Sequence, residues 1–140
     1  MKVALIGASG RIGSQILDEL VARGHHVTAI ARHIDKIAPQ PHVTTATGDL
    51  SDTSALAKLL HGHEAIISSV RFKSFRPPQM LDAVKASGVK RFLMVGGAGS
   101  LEVKPGLALI DTPEFPAASK EEGSAGAAML KALKWDRQDF

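Results

Sequence analysis

The sequence predicts an α/β fold built on a doubly wound parallel sheet with strand order 3-2-1-4-5. Three observations carry this. A short aliphatic run ends in three glycines spaced three apart, strand-like and helix-like segments alternate along the chain, and the apolar residues are aliphatic rather than aromatic. Of 140 residues 44% are apolar, yet the aromatics are five Phe and one Trp, with no Tyr. A core of Ala, Val, Ile and Leu suits a parallel sheet buried on both faces, and the length predicts one domain, residues 1–140.

The elements follow in order. Residues 2–6 (KVALI) read as a buried strand. Apolar residues at helical spacing predict a helix over 11–23, closed by Gly24 as a C-terminal cap. HVTAIA at 26–31 is the second strand, followed by a turn carrying IDKI, and HVTTATGD at 42–49 is a more polar third strand. Asp52 or Thr53 starts the helix TSALAKLL, which ends near Gly62. EAIISSV at 64–70 is the fourth strand and RFKSFRPP a basic, proline-ended loop. A helix over Pro78–Ser87 leads through Gly88 to the strand KRFLMV at 90–95. GGAGSLEVKPG and the proline-punctuated LALIDTPEFP read as irregular segments before a last helix over 117–133.

The glycines lie on the first strand-to-helix turn, where four backbone N–H groups lack partners and the helix dipole is positive. Such a turn is an anion site. Gly7 makes the tight turn, Gly10 lets a diphosphate approach the backbone, and Gly13 lets the helix pack on the strand. The spacing Gly7-x-x-Gly10-x-x-Gly13 differs from G-x-G-x-x-G, so the strand-turn-helix context carries the reading. Arg11, inside the turn, is either a second phosphate contact or a first-turn surface residue. In a sheet of this order the first and fourth strands border the ligand crevice, so Gly7, residues 68–70 and the loop after 95 point to one place.

A carboxylate for a ribose 2′-hydroxyl belongs at the end of the second strand. That position reads Ile30-Ala31-Arg32-His33, and the guanidinium of Arg32 suits a 2′-phosphate instead. NADP(H) is therefore expected over NAD(H), with Asp35 as the alternative if the strand ends later.

The absence of cysteine excludes disulfides, thiolate chemistry and iron–sulfur ligation. No apolar stretch is long enough to span a bilayer, and a soluble, cytoplasmic protein is expected. The net charge of +3 comes from scattered Lys and Arg, which points to no nucleic acid partner and is favourable for an anionic ligand. His61 and His63 flank a glycine without a third ligand, and no metal site is expected.

GASGRIG, the arginine after the second strand, GDLSD, ISSV and MVGGAGSLEV with DTPEFP resemble the NAD(P)-binding atypical short-chain dehydrogenase/reductase family. Within it they are similar to the NmrA-like and NADH-flavin reductase branch, over nearly the whole chain to about residue 133. The resemblance implies a Rossmann-like domain in which Gly7, Ser9, Gly10, Arg11, Ile12 and Gly13 hold the pyrophosphate and Arg32 the adenosine phosphate. It implies Asp49 and Leu50 at the adenine, and Ser68, Ser69 and Val70 at the nicotinamide-side ribose.

Short-chain dehydrogenases commonly use a tyrosine acid beside a lysine, and here the matching region is Ser119-Lys120. A serine hydroxyl is too weak an acid for that role, so no catalytic residue is assigned. Hydride transfer to a flavin or quinone needs less acid–base help from protein. The expected function is thus NADPH-dependent reduction of such a small-molecule acceptor, and the alternative is a non-catalytic NAD(P)-sensing regulator of NmrA-like type. The loop 71–76 either sets a phenylalanine against a flavin acceptor and a cation near its phosphate or is an ordinary surface loop, and Ser100 either orients the acceptor or shapes a turn. Family members continue past the last helix into a further strand, which would begin near Trp135; here KWDRQDF follows, so the fold is expected to be C-terminally shortened. The strand at 90–95 would then be an apolar edge, and a homodimer through this edge or the terminal helix is expected. Gly123 and Gly126 should weaken the last helix by roughly 1 kcal/mol each.

Overall fold

The computed structural model describes residues 1–135. Its five-stranded sheet is parallel throughout, with the expected order β3-β2-β1-β4-β5. The strands are β1 (Lys2–Ile6), β2 (His26–Ala31), β3 (Val43–Thr47), β4 (Ala65–Ser68) and β5 (Phe92–Met94). The first two match the sequence reading. The last three are clipped at both ends, because a parallel strand lasts only while its neighbour stays in register: β4 is paired from Ala65 to Ser68 against Val3 to Ile6.

Among the described residues four α-helices accompany the sheet: α1 (Arg11–Ala22), α2 (Thr53–Leu60), α3 (Pro77–Ser87) and α4 (Lys120–Trp135). Helix α1 ends as expected. Gly24 has φ +82, its N–H donates to Val21 O, and His25 N–H donates to Leu20 O, the bonding of a Schellman cap. Asp52 caps α2 by accepting from Ala55 N–H at 3.1 Å. Helix α3 starts one residue earlier than expected, with Pro77 and Pro78 in its first turn, where a missing N–H costs nothing. Trp135 ends α4 and is 91% exposed rather than opening a strand; the rest of the tail, 136–140, lies outside the described residues.

One face of the sheet packs under α2, α3 and α4, with Ile30, Leu56, Ile66, Met80, Val84 and Met129 in the core. On the other face Leu5, Ala29 and Val27 meet Leu17 of α1 and Ile37 beyond a 3-10 turn. A two-stranded antiparallel hairpin, β6 (Glu102–Lys104) with β7 (Leu107–Ala108), occupies the segment read as irregular. Its turn uses Gly106 at φ +80, and all three residues of β6 are exposed, so no alternation marked it. Among the described residues no helix is long and apolar enough to cross a membrane.

Candidate dinucleotide site

The turn after β1 is built from backbone. Gly7 has φ +85, and a Cβ on it would lie 2.8 Å from Ser69 O; a Cβ on Gly13 would lie 1.9 Å from Gly7 O. Both positions therefore exclude a side chain. Gly10 differs: a Cβ there would meet only Gly7 O, at 3.4 Å. Its outward side is bare backbone at the N-terminus of α1, a cradle of the kind a diphosphate fills.

A cavity of about 240 Å³ opens beside this turn, lined by Gly7, Ser9, Gly10, Arg32, Asp49, Leu50, Ser69 and Val70. Eight of the expected site residues thus converge, from the C-terminal ends of β1, β2 and β4 and the segment after β3. Gly13 lies beneath the turn. Arg11 is exposed at the first position of α1, and Ile12, 54% exposed, lines a different cavity. Ser68 lines neither: it is 1% exposed and its hydroxyl has no hydrogen-bond partner among the described residues. β2 ends at Ala31, so Arg32 stands at the strand end and Asp35 lies in the following 3-10 turn, away from the cavity.

Asp49 accepts a hydrogen bond from Ser51 N–H at 3.0 Å. That bond holds its carboxyl below the usual aspartate range, against the opposing effect of burial and with lesser help from the Ser51 side chain and the Arg32 guanidinium. The cavity thus presents a cation and an ionised carboxylate side by side.

A second cavity, of about 500 Å³, adjoins the first across Ser69, Val70 and Arg71, which line both. Its walls include Ile12, Phe72, Val95, Gly97, Phe115 and Ser119. Phe72 and Phe75 are each 8% exposed and belong to the core, so the loop 71–76 does not offer free aromatic rings. Phe72 forms part of the wall while its ring packs on Gly126. Ser119 faces this cavity, whereas Lys120 lines a separate cleft between α4 and the hairpin; the pair does not converge. Ser100 donates to Gly97 O at 3.4 Å within its own turn. His61 Nδ1 bonds Ser87 O and His63 Nδ1 bonds Leu60 O, so the two imidazoles serve separate backbone contacts.

The loop 71–76, expected to bring a cation to the acceptor, instead contributes Arg71 and Ser74 to the first cavity, with Arg71 lining the second as well. Glu122, which reaches the second cavity from α4, escaped the sequence reading. Glu122 carried no separate signal, since an acidic residue in a first helical turn is ordinary.

Comparison with known proteins agrees with this geometry. The chain is 34% identical to the uncharacterized protein YwnB of Bacillus subtilis, a match covering 96% of this chain and 66% of that protein. The crystal structure of a protein from Bacteroides thetaiotaomicron, described as a putative epimerase, superposes with a TM-score of 0.86 at 38% identity, over 93% of this chain and 62% of that one. A protein from Streptococcus pneumoniae, described as a putative NADH-flavin reductase, does so with a TM-score of 0.79 at 32% identity, over 96% of this chain and 66% of that one. The chain thus spans slightly less than two thirds of the length of these relatives. The family model described as NAD(P)H-binding matches residues 7–136, beginning at the first glycine of the turn and taking in all of α4, and by that match the chain belongs to the NAD(P)H-binding family of Rossmann-like proteins.

Proposed function

We propose that this chain binds NADPH in the cavity beside Gly7 and Gly10 and reduces a flavin or quinone-like acceptor in the adjoining cavity. The observation that carries this reading is the meeting of the two cavities along Ser69, Val70 and Arg71. NADPH supplies a hydride, two electrons and a proton, and the acceptor takes its second proton from water.

The remaining roles belong to the protein. The backbone from Gly7 to Gly10 and the first turn of α1 meet the diphosphate. Arg32 pairs with the 2′-phosphate, a charge-assisted contact worth roughly 1.5–3 kcal/mol, or about one to two decades of preference over NADH. Asp49 accepts from the adenine amine, and buried Leu50 supports the ring. Ser69 and Val70 border the nicotinamide-side ribose, with Arg71 at the passage to the second cavity. Ile12, Val95 and Phe115 exclude water from part of the acceptor's surroundings.

A second reading rests on the separation of Ser119 from Lys120. With Ser119 in the acceptor cavity parted from Lys120, and the Glu122 carboxylate engaged by the Phe72 and Lys73 amides, the chain would bind NADP(H) as a sensor and catalyse nothing. Stopped-flow absorbance with NADPH and a panel of flavins and quinones separates the two. Acceptor-dependent oxidation supports the reductase, and saturable binding without turnover supports the sensor. Equal affinities for NADPH and NADH, or an unchanged preference in Arg32→Ala, would remove the role of Arg32.

A further inference from the structure

Glu122 lies in the first turn of α4, fifty residues along the chain from the loop it touches. Its Oε1 accepts from Phe72 N–H and its Oε2 from Lys73 N–H, the latter at 3.1 Å. Those two amides open the 3-10 turn Phe72–Ser74, and a helical turn has no internal acceptor for its first N–H groups. The carboxylate therefore spans two successive amides, one per oxygen. One turn farther along the same face of α4, Gly126 receives the Phe72 ring. Helix α4 thus grips this short turn twice, at its backbone and at its ring.

The gripped turn carries Arg71. Its carbonyl accepts from Ser74 N–H at 3.1 Å and from Ser74 Oγ at 2.6 Å, so its backbone is fixed to the turn that Glu122 holds. Arg71 and Ser74 both line the dinucleotide cavity, and Arg71 lines the second as well. We infer that Glu122 is a positioning residue for coenzyme binding: it holds residues 71–74 so that the Arg71 guanidinium is presented at the junction of the two cavities. This rests on the reading that the glycine-lined cavity takes NADPH and that Arg71 touches it.

A double-mutant cycle on the full chain tests the inference, with NADPH affinity read by titration calorimetry. Arg71→Ala and Glu122→Gln should each weaken binding by about tenfold, and the double variant should be no weaker than either alone. Additive losses, or no loss in Glu122→Gln, would mean that Glu122 merely stabilises the fold. No loss in Arg71→Ala overturns the inference at its arginine while leaving the coenzyme site intact, and absence of NADPH binding to the unaltered chain overturns the dinucleotide reading itself. If Glu122→Gln does not fold, the unaltered chain answers the question. NADPH should slow amide exchange at Phe72 and Lys73, and unchanged exchange there overturns the inference.

Discussion

The ring of Phe72 lies against the bare backbone of Gly126, so close that a Cβ on that glycine would sit 2.9 Å from Cδ2 and 3.1 Å from Cε2. Helix propensity alone favours alanine at this position by about 1 kcal/mol. Yet Phe72 is a core residue, 8% exposed, and crowding such a ring costs roughly 1–3 kcal/mol. Gly126→Ala should therefore lower stability by about 1 kcal/mol in urea denaturation. Gly123 offers a contrast. A Cβ there would meet the ring tip of half-buried Phe115 at 2.9 Å and the Ile110 Cδ1 methyl at 3.0 Å, both ends of side chains able to shift. Gly123→Ala should be neutral or stabilising by up to about 1 kcal/mol, and a larger loss at Gly123 than at Gly126 would contradict this account.

Gly10 and Gly13 separate folding from binding. An alanine at Gly13 would drive its Cβ to 1.9 Å from Gly7 O, a backbone atom with nowhere to go, so Gly13→Ala should lose cooperative unfolding or most of the chain's stability. Gly10 has φ −75 and ψ 173, which alanine adopts freely. Gly10→Ala should keep its melting transition to within about 1 kcal/mol while losing at least tenfold in NADPH affinity, because its new methyl stands where the phosphate goes. Calorimetry and thermal melting on the same samples check both halves.

Ser68 carries a hydroxyl that is sealed from solvent and, among the described residues, unpaired. A buried hydroxyl without a partner costs roughly 1–3 kcal/mol, and alanine removes it with little loss of volume. Ser68→Ala should raise stability by about 1 kcal/mol with coenzyme affinity unchanged. A drop in affinity without a drop in stability would show that the hydroxyl reaches the ligand.

The lowered pKa of Asp49 makes a pH-dependent contribution whose sign is set. A carboxyl with a folded pKa below its unfolded value stabilises the fold at pH above the unfolded value, about 4. The contribution fades as pH falls through the folded value. The difference in melting temperature between the unaltered chain and Asp49→Asn should therefore be constant from pH 7 to 5 and shrink below about pH 4. A difference that grows on acidification would assign the carboxylate the wrong partner.

The strand order and the glycine turn were legible because each follows from local chemistry: alternating periodicities with right-handed crossovers, and backbone positions that accept no Cβ. Arg32 was legible because β2 ends where its apolar run ends. The grip of α4 on residues 72–74 was not. Phe72 and Phe75 sit among arginines and a lysine, a pattern that reads as a solvated loop, and it is packing with distant parts of the chain, Gly126 of α4 among them, that turns Phe72 into core. Gly123 and Gly126 looked like flaws in a helix for the same reason. The hairpin of β6 and β7 stayed hidden because its strands bury too little to show a period of two.

β3 is bordered by β2 alone, exposes Thr44, Thr45 and Thr47, and is joined to β2 through a 3-10 turn instead of a helix. In free-energy terms such an edge strand opens at less cost than the central strands β1 and β2. Gly48, Asp49 and Leu50 continue from its end into the dinucleotide cavity, so a ligand seated there would spend part of its interaction on quieting this strand, and affinity and local order would rise together. Amide exchange in β3 should be faster than in β1 and should slow more than that of β1 when NADPH is added.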